Sequence, residues 1–145
     1  TSFFVARHLS SDVYFRHLTS VVAAIGERGW SVIVGRGAHL ILPRKKTVRL
    51  RFVAPKESRI ADFVETRKMT QAEAKSYVER KDADRKGFIK KYFKADTDDP
   101  TGFDMVVNTG ELGMEGAFNV VVALIRQRIR SEEEGKTMRS PNREK

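Results

Sequence analysis

Apolar residues near the start of the chain follow first the period of a helix and then that of a buried strand. The helical positions share one face: Tyr14, Leu18, Val21, Val22 and Ile25. They predict a helix from about Ser11 to Arg28, and Gly29 is typical of a helix C-terminus. The next segment, Trp30–Val34, is apolar on both faces and therefore predicts a short strand of a parallel sheet.

Two further apolar runs predict strands, and a helix is expected after each of them. The run VRLRFVA (Val48–Ala54) predicts a strand, and Pro55 suits the first turn of the following helix. The run Met105–Asn108 predicts a third strand. The last helix is expected from Met114 to about Arg130, and its inward residues are expected to be Phe118, Val121, Val122 and Ile125.

A long and very basic helix is expected between the second and third strands. It begins after a capping box, in which the Thr70 hydroxyl accepts from the backbone of Glu73 and the Glu73 carboxylate reaches back to Thr70. The helix is expected to end at about Phe93, and residues 96 to 103 (DTDDPTGF) to form a loop.

Strands that alternate with helices indicate an α/β fold with a parallel sheet. The connection between the first two expected strands is unusual, because residues 38 to 47 are too few for a comfortable crossover helix. If these strands are parallel, a thin connection must carry the chain across the end of the sheet, past one intervening strand.

Charge narrows the range of partners. The 145 residues include 28 Lys and Arg against 19 Asp and Glu, which gives a net charge of +9. This balance favours polyanionic partners such as nucleotides, nucleic acids or acidic lipid surfaces, although a solvated basic surface explains it equally well. The chain has no cysteine, which excludes disulfides and thiolate metal sites and fits the cytoplasm. It contains no membrane-spanning run and no secretory signal pattern.

One candidate binding element is Gly35-Arg36-Gly37, at the carboxyl end of the first expected strand. The carboxyl ends of strands are where α/β sheets bind ligands, and a guanidinium group can hold a phosphate through two hydrogen bonds. A turn with an exposed arginine is the alternative interpretation.

A second candidate is the dense charge patch RKDADR on the long helix, which includes Arg80, Asp84 and Arg85. Residues 80 and 84 are spaced i, i+4 and share a face, so a solvated face with ion pairs explains the patch. The functional interpretation is a basic arm that closes over phosphates, with Asp84 orienting the arginines. The three histidines are scattered and show no metal-ligand spacing, so no metal site is expected.

Four ordered blocks together resemble one family. The segments VIVGRGAHLIL, VAPKESRI, ERKDADRKGFIKKYF and FDMVVNTGEL are similar to the cytidylate kinase-like branch of the nucleoside monophosphate kinases. The similarity extends from about Tyr14 to Ile129. On this basis residues 1–130 are expected to be a cytidylate kinase-like core with a lid at about 57–94. Residues 131–145 lack apolar periodicity and are expected to be a disordered basic tail.

The resemblance implies a three-layer αβα fold of the P-loop kinase type, with a parallel sheet and a helical lid. It implies transfer of the γ-phosphoryl group of ATP, bound with Mg²⁺, to a nucleoside monophosphate such as CMP. The roles carried over are acceptor binding by Gly35 and Arg36, ATP binding by Arg59, Arg67 and Asn108, and catalysis by Arg80, Asp84 and Arg85. Of these, Arg59 is expected to open the lid and to lie against the ATP base.

The chain departs from the family's pattern in two ways. Cytidylate kinases carry an aspartate where this chain has Gly37, so recognition of cytosine is not carried over. The phosphate loop Gly-x-x-x-x-Gly-Lys-Ser/Thr is also missing, since Gly26 and Gly29 are followed by Trp30 without a lysine. In the family the strand that bears this loop lies between the first two strands described above. The chain is therefore expected to be the carboxyl-terminal two-thirds of a kinase, completed by a missing amino-terminal segment or by another chain.

Two other functions stay open from the sequence. The first is a non-catalytic, kinase-derived module whose basic arm, Arg67–Lys94, binds nucleic acid or another polyanion. The second is a protein-interaction role, in which a strand from a partner completes the sheet.

Overall fold

Residues 11–138, which a computed structural model describes, form five helices and two strands, with side chains described to residue 134. In chain order they are α1 (Ser11–Arg28), α2 (Ala38–Ile41), β1 (Leu50–Val53), α3 (Lys56–Arg67), α4 (Gln71–Phe93), β2 (Met105–Asn108) and α5 (Thr109–Met138). Short 3₁₀ turns lie at Arg44–Lys46 and Pro100–Gly102. This mostly helical chain with a small parallel sheet is compatible with an α/β kinase-like fold.

The chain divides into two units. Within the described residues, unit one contains residues 11–47 and 83–102, and unit two contains residues 48–82 and 103–138. The helix α4 therefore begins in unit two and ends in unit one. None of the helices within residues 11–138 has the length and apolar character that a membrane span needs.

Unit one is built around aromatic contacts between α1 and the last turn of α4. The Phe15 ring stacks on Tyr92 with centroids 5.0 Å apart and meets Phe93 edge-on at 5.2 Å. The Ser11 and Tyr92 hydroxyls are hydrogen-bonded at 2.8 Å. The bounds of α1 confirm the helix expected from the apolar spacing, and Val22 is its buried residue.

The prediction of a strand at Trp30–Val34 is wrong, because these residues form no strand. Their apolar side chains are exposed: Trp30 by 98%, Val32 by 94% and Val34 by 87%. A strand needs a neighbour that accepts its hydrogen-bond ladder, and no described segment pairs with this one. The apolar pattern therefore predicts a strand here, but none forms because the backbone has no described segment to pair with.

Unit two contains the sheet, in which β1 and β2 are parallel. The register pairs Leu50 with Met105 and Val53 with Asn108, so both strands end at the same level. Just before the strands, the Asp104 backbone N–H donates to the Arg49 carbonyl and the Arg49 N–H donates to the Asp104 carboxylate, each at 2.8 Å. The strand at Met105–Asn108 is confirmed, and the one expected at Val48–Ala54 is shorter by three residues.

The helices α3 and α4 form a hairpin with a small apolar core. Ile60, Ala74 and Val78 are buried in it, and the partly buried residues packed against them are Phe63, Val64 and Met69. The capping box is confirmed: Glu73 N–H donates to the Thr70 hydroxyl at 3.3 Å, and Thr70 N–H donates to the Glu73 carboxylate at 2.8 Å. The hairpin is thus closed at its turn by apolar packing and a helix cap.

The last helix differs from its expected bounds of Met114 to about Arg130. It begins at Thr109, breaks at Gly113 (φ 64°, ψ 179°) and continues to Met138. Residues 131–138, expected to be part of a disordered tail, are helical because their glutamates favour helix and extend one already started. The rest of that expected tail, residues 139–145, lies outside the described residues. Phe118, expected to point inward, is 66% exposed because no described element covers that face of α5.

The turn Gly35-Arg36-Gly37 contains three residues in the left-handed region, with φ of 75°, 55° and 69°. A methyl group on Gly35 would enter open space, whereas one on Gly37 would collide with the Phe93 ring. Gly37 is therefore needed for close packing as well as for its backbone angle, and an aspartate side chain does not fit there without displacing Phe93.

Replacing these two glycines by alanine separates the two requirements. Gly35→Ala should cost about 1–2 kcal/mol, because it adds only the left-handed penalty. Gly37→Ala should cost about 1–3 kcal/mol more, because the new methyl group also overpacks against Phe93. Urea unfolding followed by circular dichroism measures both values, and equal losses for the two variants would contradict the packing argument.

Candidate functional site

The carboxyl ends of β1 and β2 lie side by side, and a helix begins just after each. Pro55 separates Val53 from α3 by a short connection, and α5 begins at Thr109, directly after β2. The Thr109 hydroxyl donates to the Val53 carbonyl at 3.2 Å, which ties the two strand ends together. Gly110 packs so closely on the Pro55 ring that a methyl group there would collide with it. Helix N-termini at this edge of a parallel sheet favour anionic ligands.

Asn108, a candidate ATP-binding residue, is the last residue of β2 and is half-buried. Its side-chain oxygen accepts from the Gly110 N–H at 3.1 Å, an arrangement that supports the first turn of α5. The oxygen therefore has a local structural role, and the side-chain NH₂ is the group that Asn108 offers as a donor.

Arg59 lies one turn into α3 and forms a two-point ion pair with Asp82 on α4. Its Nη1 donates to Asp82 Oδ1 at 2.9 Å and its Nη2 donates to Oδ2 at 2.8 Å. The Arg59 side chain is 33% exposed and that of Asp82 is 38% exposed. Donating these hydrogen bonds to the Asp82 carboxylate raises the pKa of the Arg59 guanidinium. This pair joins the two helices beside their apolar core.

A second ion pair joins the same two helices. Lys56 Nζ contacts the Glu79 carboxylate, and each of these residues lies one turn before the corresponding member of the Arg59–Asp82 pair. The hydrogen bond from Lys56 lowers the pKa of Glu79. The hydrogen bond from the Thr70 hydroxyl likewise lowers the pKa of Glu73 at the turn of the hairpin.

Sequence reasoning gave no role to Asp82, although it lies inside the RKDADR patch. One signal could have found it: α3 carries two basic residues three positions apart, and α4 carries two acidic residues with the same spacing. Opposite charges with the same spacing on two adjacent helices indicate that the helices can form ion pairs, but the spacing does not say which residues pair.

The remaining candidates on the hairpin are exposed. Arg67 is the last residue of α3, and the Arg80 guanidinium lies over the Tyr77 ring, 5.8 Å from its centroid. Asp84 and Arg85 lie on the exposed surface of α4. Solvent exposure is what binding a ligand phosphate requires of these groups, although it is also the state of an ordinary charged helix surface.

Arg36 is exposed at the centre of the glycine turn, with its backbone in the left-handed region at φ 55°. A non-glycine residue in this region is uncommon and costs energy, so the surrounding structure must hold it there. Hydrogen bonds on both sides do so: Ala38 N–H donates to Gly35 at 3.2 Å, and Leu40 N–H donates to Gly37 at 2.8 Å.

The candidates fall into the two units. Gly35, Arg36, Asp84 and Arg85 belong to unit one, whereas Arg59, Arg67, Arg80 and Asn108 belong to unit two. In unit two the structure combines a parallel strand pair, two helix N-termini at one edge and a basic helical hairpin. This combination is compatible with the α/β class of kinase-like proteins.

A sequence profile of the cytidylate kinase-like family matches residues 1–111. Because this match spans well over half of the chain, the chain belongs to the cytidylate kinase-like family, as the four sequence blocks indicated. At family level the match indicates a nucleotide kinase-like function. A comparison with curated proteins gives no match.

The Lys56–Glu79 pair should make the hairpin sensitive to acid. Because the pKa of Glu79 is lowered from its ordinary 4.5, the pair stabilises the folded state above about pH 4.5, and this stability is lost as the pH falls further. Replacing Glu79 by Gln should therefore lower the thermal midpoint at pH 7 and leave a shrinking difference from wild type below about pH 4.5. Lys56→Gln should give the same pattern, and a difference that is independent of pH in both variants would contradict the assignment.

Proposed function

We propose that this chain belongs to an enzyme that transfers the γ-phosphoryl group of ATP to a nucleoside monophosphate. The observation that carries the proposal is the family match over residues 1–111, since every candidate residue lies inside the matched region. The exposed basic groups and the helix N-termini at the sheet edge support it, because nucleotide phosphates need both kinds of partner. The acceptor is a nucleoside monophosphate similar to CMP.

In the proposed reaction, an oxygen of the acceptor phosphate attacks the γ-phosphorus of ATP in line, and ADP leaves with the electrons of the broken P–O bond. Mg²⁺ enters as the ATP complex and neutralises phosphate charge. Gly35 and Arg36 bind the acceptor phosphate, while Arg59, Arg67 and Asn108 bind ATP. Arg80 and Arg85, oriented by Asp84, close over the transferring group and stabilise its charge.

The proposal includes a larger fold than the described residues form. This fold has three layers, αβα, and its parallel sheet is completed by a strand and phosphate loop from an amino-terminal segment or another chain. The exposed apolar side chains of Trp30, Val32 and Val34 support this part of the proposal. Exposed apolar side chains are unfavourable in water, and burial against a neighbouring strand would remove that cost. The absence of cysteine fits a cytoplasmic location.

A non-catalytic module that binds a polyanion is the second candidate, and the net charge of +9 favours it. The two functions differ in their response to salt and to nucleotides. The complete encoded protein is incubated with Mg²⁺ and ATP in four separate mixtures that contain CMP, UMP, AMP or GMP. ADP should form only in a mixture whose monophosphate is the acceptor. No ADP with any acceptor, together with nucleic-acid affinity that falls steeply with salt, would favour the second candidate.

Arg36→Ala should mainly weaken acceptor binding in the complete protein. Loss of a charged hydrogen-bonding partner should raise the KM for the acceptor by about tenfold or more, with a small change in the KM for ATP. Steady-state kinetics with both substrates varied gives the two constants. Arg126→Ala, which removes an exposed positive charge outside the family match, is the control. An unchanged acceptor KM would count against the assigned role.

Arg85→Ala should mainly slow the chemical step. A guanidinium group that stabilises the transferring phosphoryl group is worth about 3 kcal/mol, so kcat should fall by about a hundredfold at saturating substrates. Lys90→Ala removes an exposed charge from the same helix and should leave kcat near the wild-type value. Normal turnover of Arg85→Ala would remove this residue from the catalytic group.

A further inference from the structure

An apolar stripe lies along α5 after the break of this helix at Gly113. Its members follow one another at intervals of three or four residues and therefore share one face of the helix: Met114, Phe118, Val122, Ile125 and Ile129. The contacts of α5 with β1 and β2 leave this face uncovered, and the Met114 side chain is the most exposed of the stripe, at 80%. A continuous row of exposed apolar side chains marks a surface for a partner.

The two ends of the stripe differ in shape. Met114 protrudes at the amino end, whereas Ile129 lies with Arg126 and Arg130 in a shallow open hollow at the carboxyl end. A second copy of the helix that runs in the opposite direction would bring its Met114 to this hollow, and a methionine side chain adapts well to such a surface. The same contact then forms twice, as the twofold axis of a dimer requires.

Two charged residues beside the stripe favour this antiparallel direction. Glu115 and Arg126 are 11 residues apart, close to three helical turns, so they lie along the same flank of the stripe. Both are exposed, and neither has an ion-pair partner within the part of the chain that the structure describes. In an antiparallel pair, Glu115 of each copy comes close to Arg126 of the other. A parallel pair would place glutamate against glutamate and arginine against arginine.

We propose that the apolar stripe of α5 is a self-association surface, which pairs with the same stripe of a second copy of this chain in an antiparallel dimer. The stripe lies beyond the family match at residues 1–111, and none of the residues assigned to substrates belongs to it. The inference is therefore independent of the proposed function.

The expected dimer is weak. The segment Met114–Ile129 is about 24 Å long, so two such segments form a small interface. Small interfaces are typical of transient complexes, and we expect a dissociation constant of about 10–100 µM. At the nanomolar concentrations of a kinetic assay the chain is then a monomer, and Arg126→Ala keeps its meaning as a control for acceptor binding.

Sedimentation velocity of the complete encoded protein, at about 1 to 200 µM, should show a monomer–dimer equilibrium. Phe118→Asp should raise the dissociation constant by about a hundredfold or more, because the dimer would bury two unpaired carboxylates against apolar side chains. Phe118 is 66% exposed, so the substitution leaves the core of the chain intact. Gln127→Asp, the matched control, adds the same charge at an exposed position of α5 outside the stripe and should leave the constant unchanged.

A charge reversal tests the direction of the pairing. Glu115→Lys should weaken the dimer by about tenfold, because it places two positive charges together at both ends of the contact. Adding Arg126→Glu to the same chain should restore the wild-type constant, since both ion pairs are then present with their signs exchanged. In a parallel dimer Glu115→Lys would only replace one pair of like charges by another, so an unchanged constant for this variant would contradict the antiparallel direction.

Two other results would overturn the inference. A dimer that Phe118→Asp does not weaken would form through another surface. A protein that stays monomeric over the whole range would show that a second copy does not cover the stripe. Hydrogen exchange of residues 114–129 then shows whether another segment of the same chain does so, since protection would not depend on protein concentration. ADP formation is measured separately, so failure of the dimer leaves the proposed function standing.

Discussion

The parallel pairing of β1 with β2 determines where the functional groups of unit two lie. Its register brings Val53 and Asn108 to the same level, so α3 and α5 both begin at one edge of the sheet. The Thr109 hydroxyl and the close contact of Gly110 with Pro55 hold these two helix starts together. A one-residue shift of the register would separate them, because it would slide one strand end past the other along the strand direction. The anion-favouring edge is thus a consequence of backbone pairing.

The basic hairpin depends on a balance between apolar packing and charge compensation. Its core is small, since Ile60, Ala74 and Val78 are its only buried residues within the described chain. Two interhelical ion pairs, one of them partly buried and bonded at two points, add to this packing. Compensation divides the cations into two groups: Arg59 is held by a carboxylate, whereas Arg67 and Arg80 are exposed to solvent.

The failed prediction of a strand at Trp30–Val34 shows what a local sequence pattern can and cannot determine. Apolar side chains on both faces describe a segment that can be buried, but a strand exists only when another backbone receives its hydrogen bonds. Within the described residues no such neighbour is present, and the side chains are in solvent. The predicted end of the last helix at about Arg130 fails in the opposite way, because α5 continues to Met138. A helix satisfies its own backbone hydrogen bonds and can continue where apolar periodicity has stopped.

The amino-acid sequence alone determined α1, the capping box at Thr70, the strand Met105–Asn108 and the family, because each of these rests on local spacing or on ordered motifs. The tertiary structure alone decided that Asp82 is the partner of Arg59, that Gly37 packs against Phe93 and that β1 pairs with β2. The physical reason is distance along the chain. An ion pair, a ring contact or a strand register joins residues that are distant in sequence, so only the folded chain shows which of them meet.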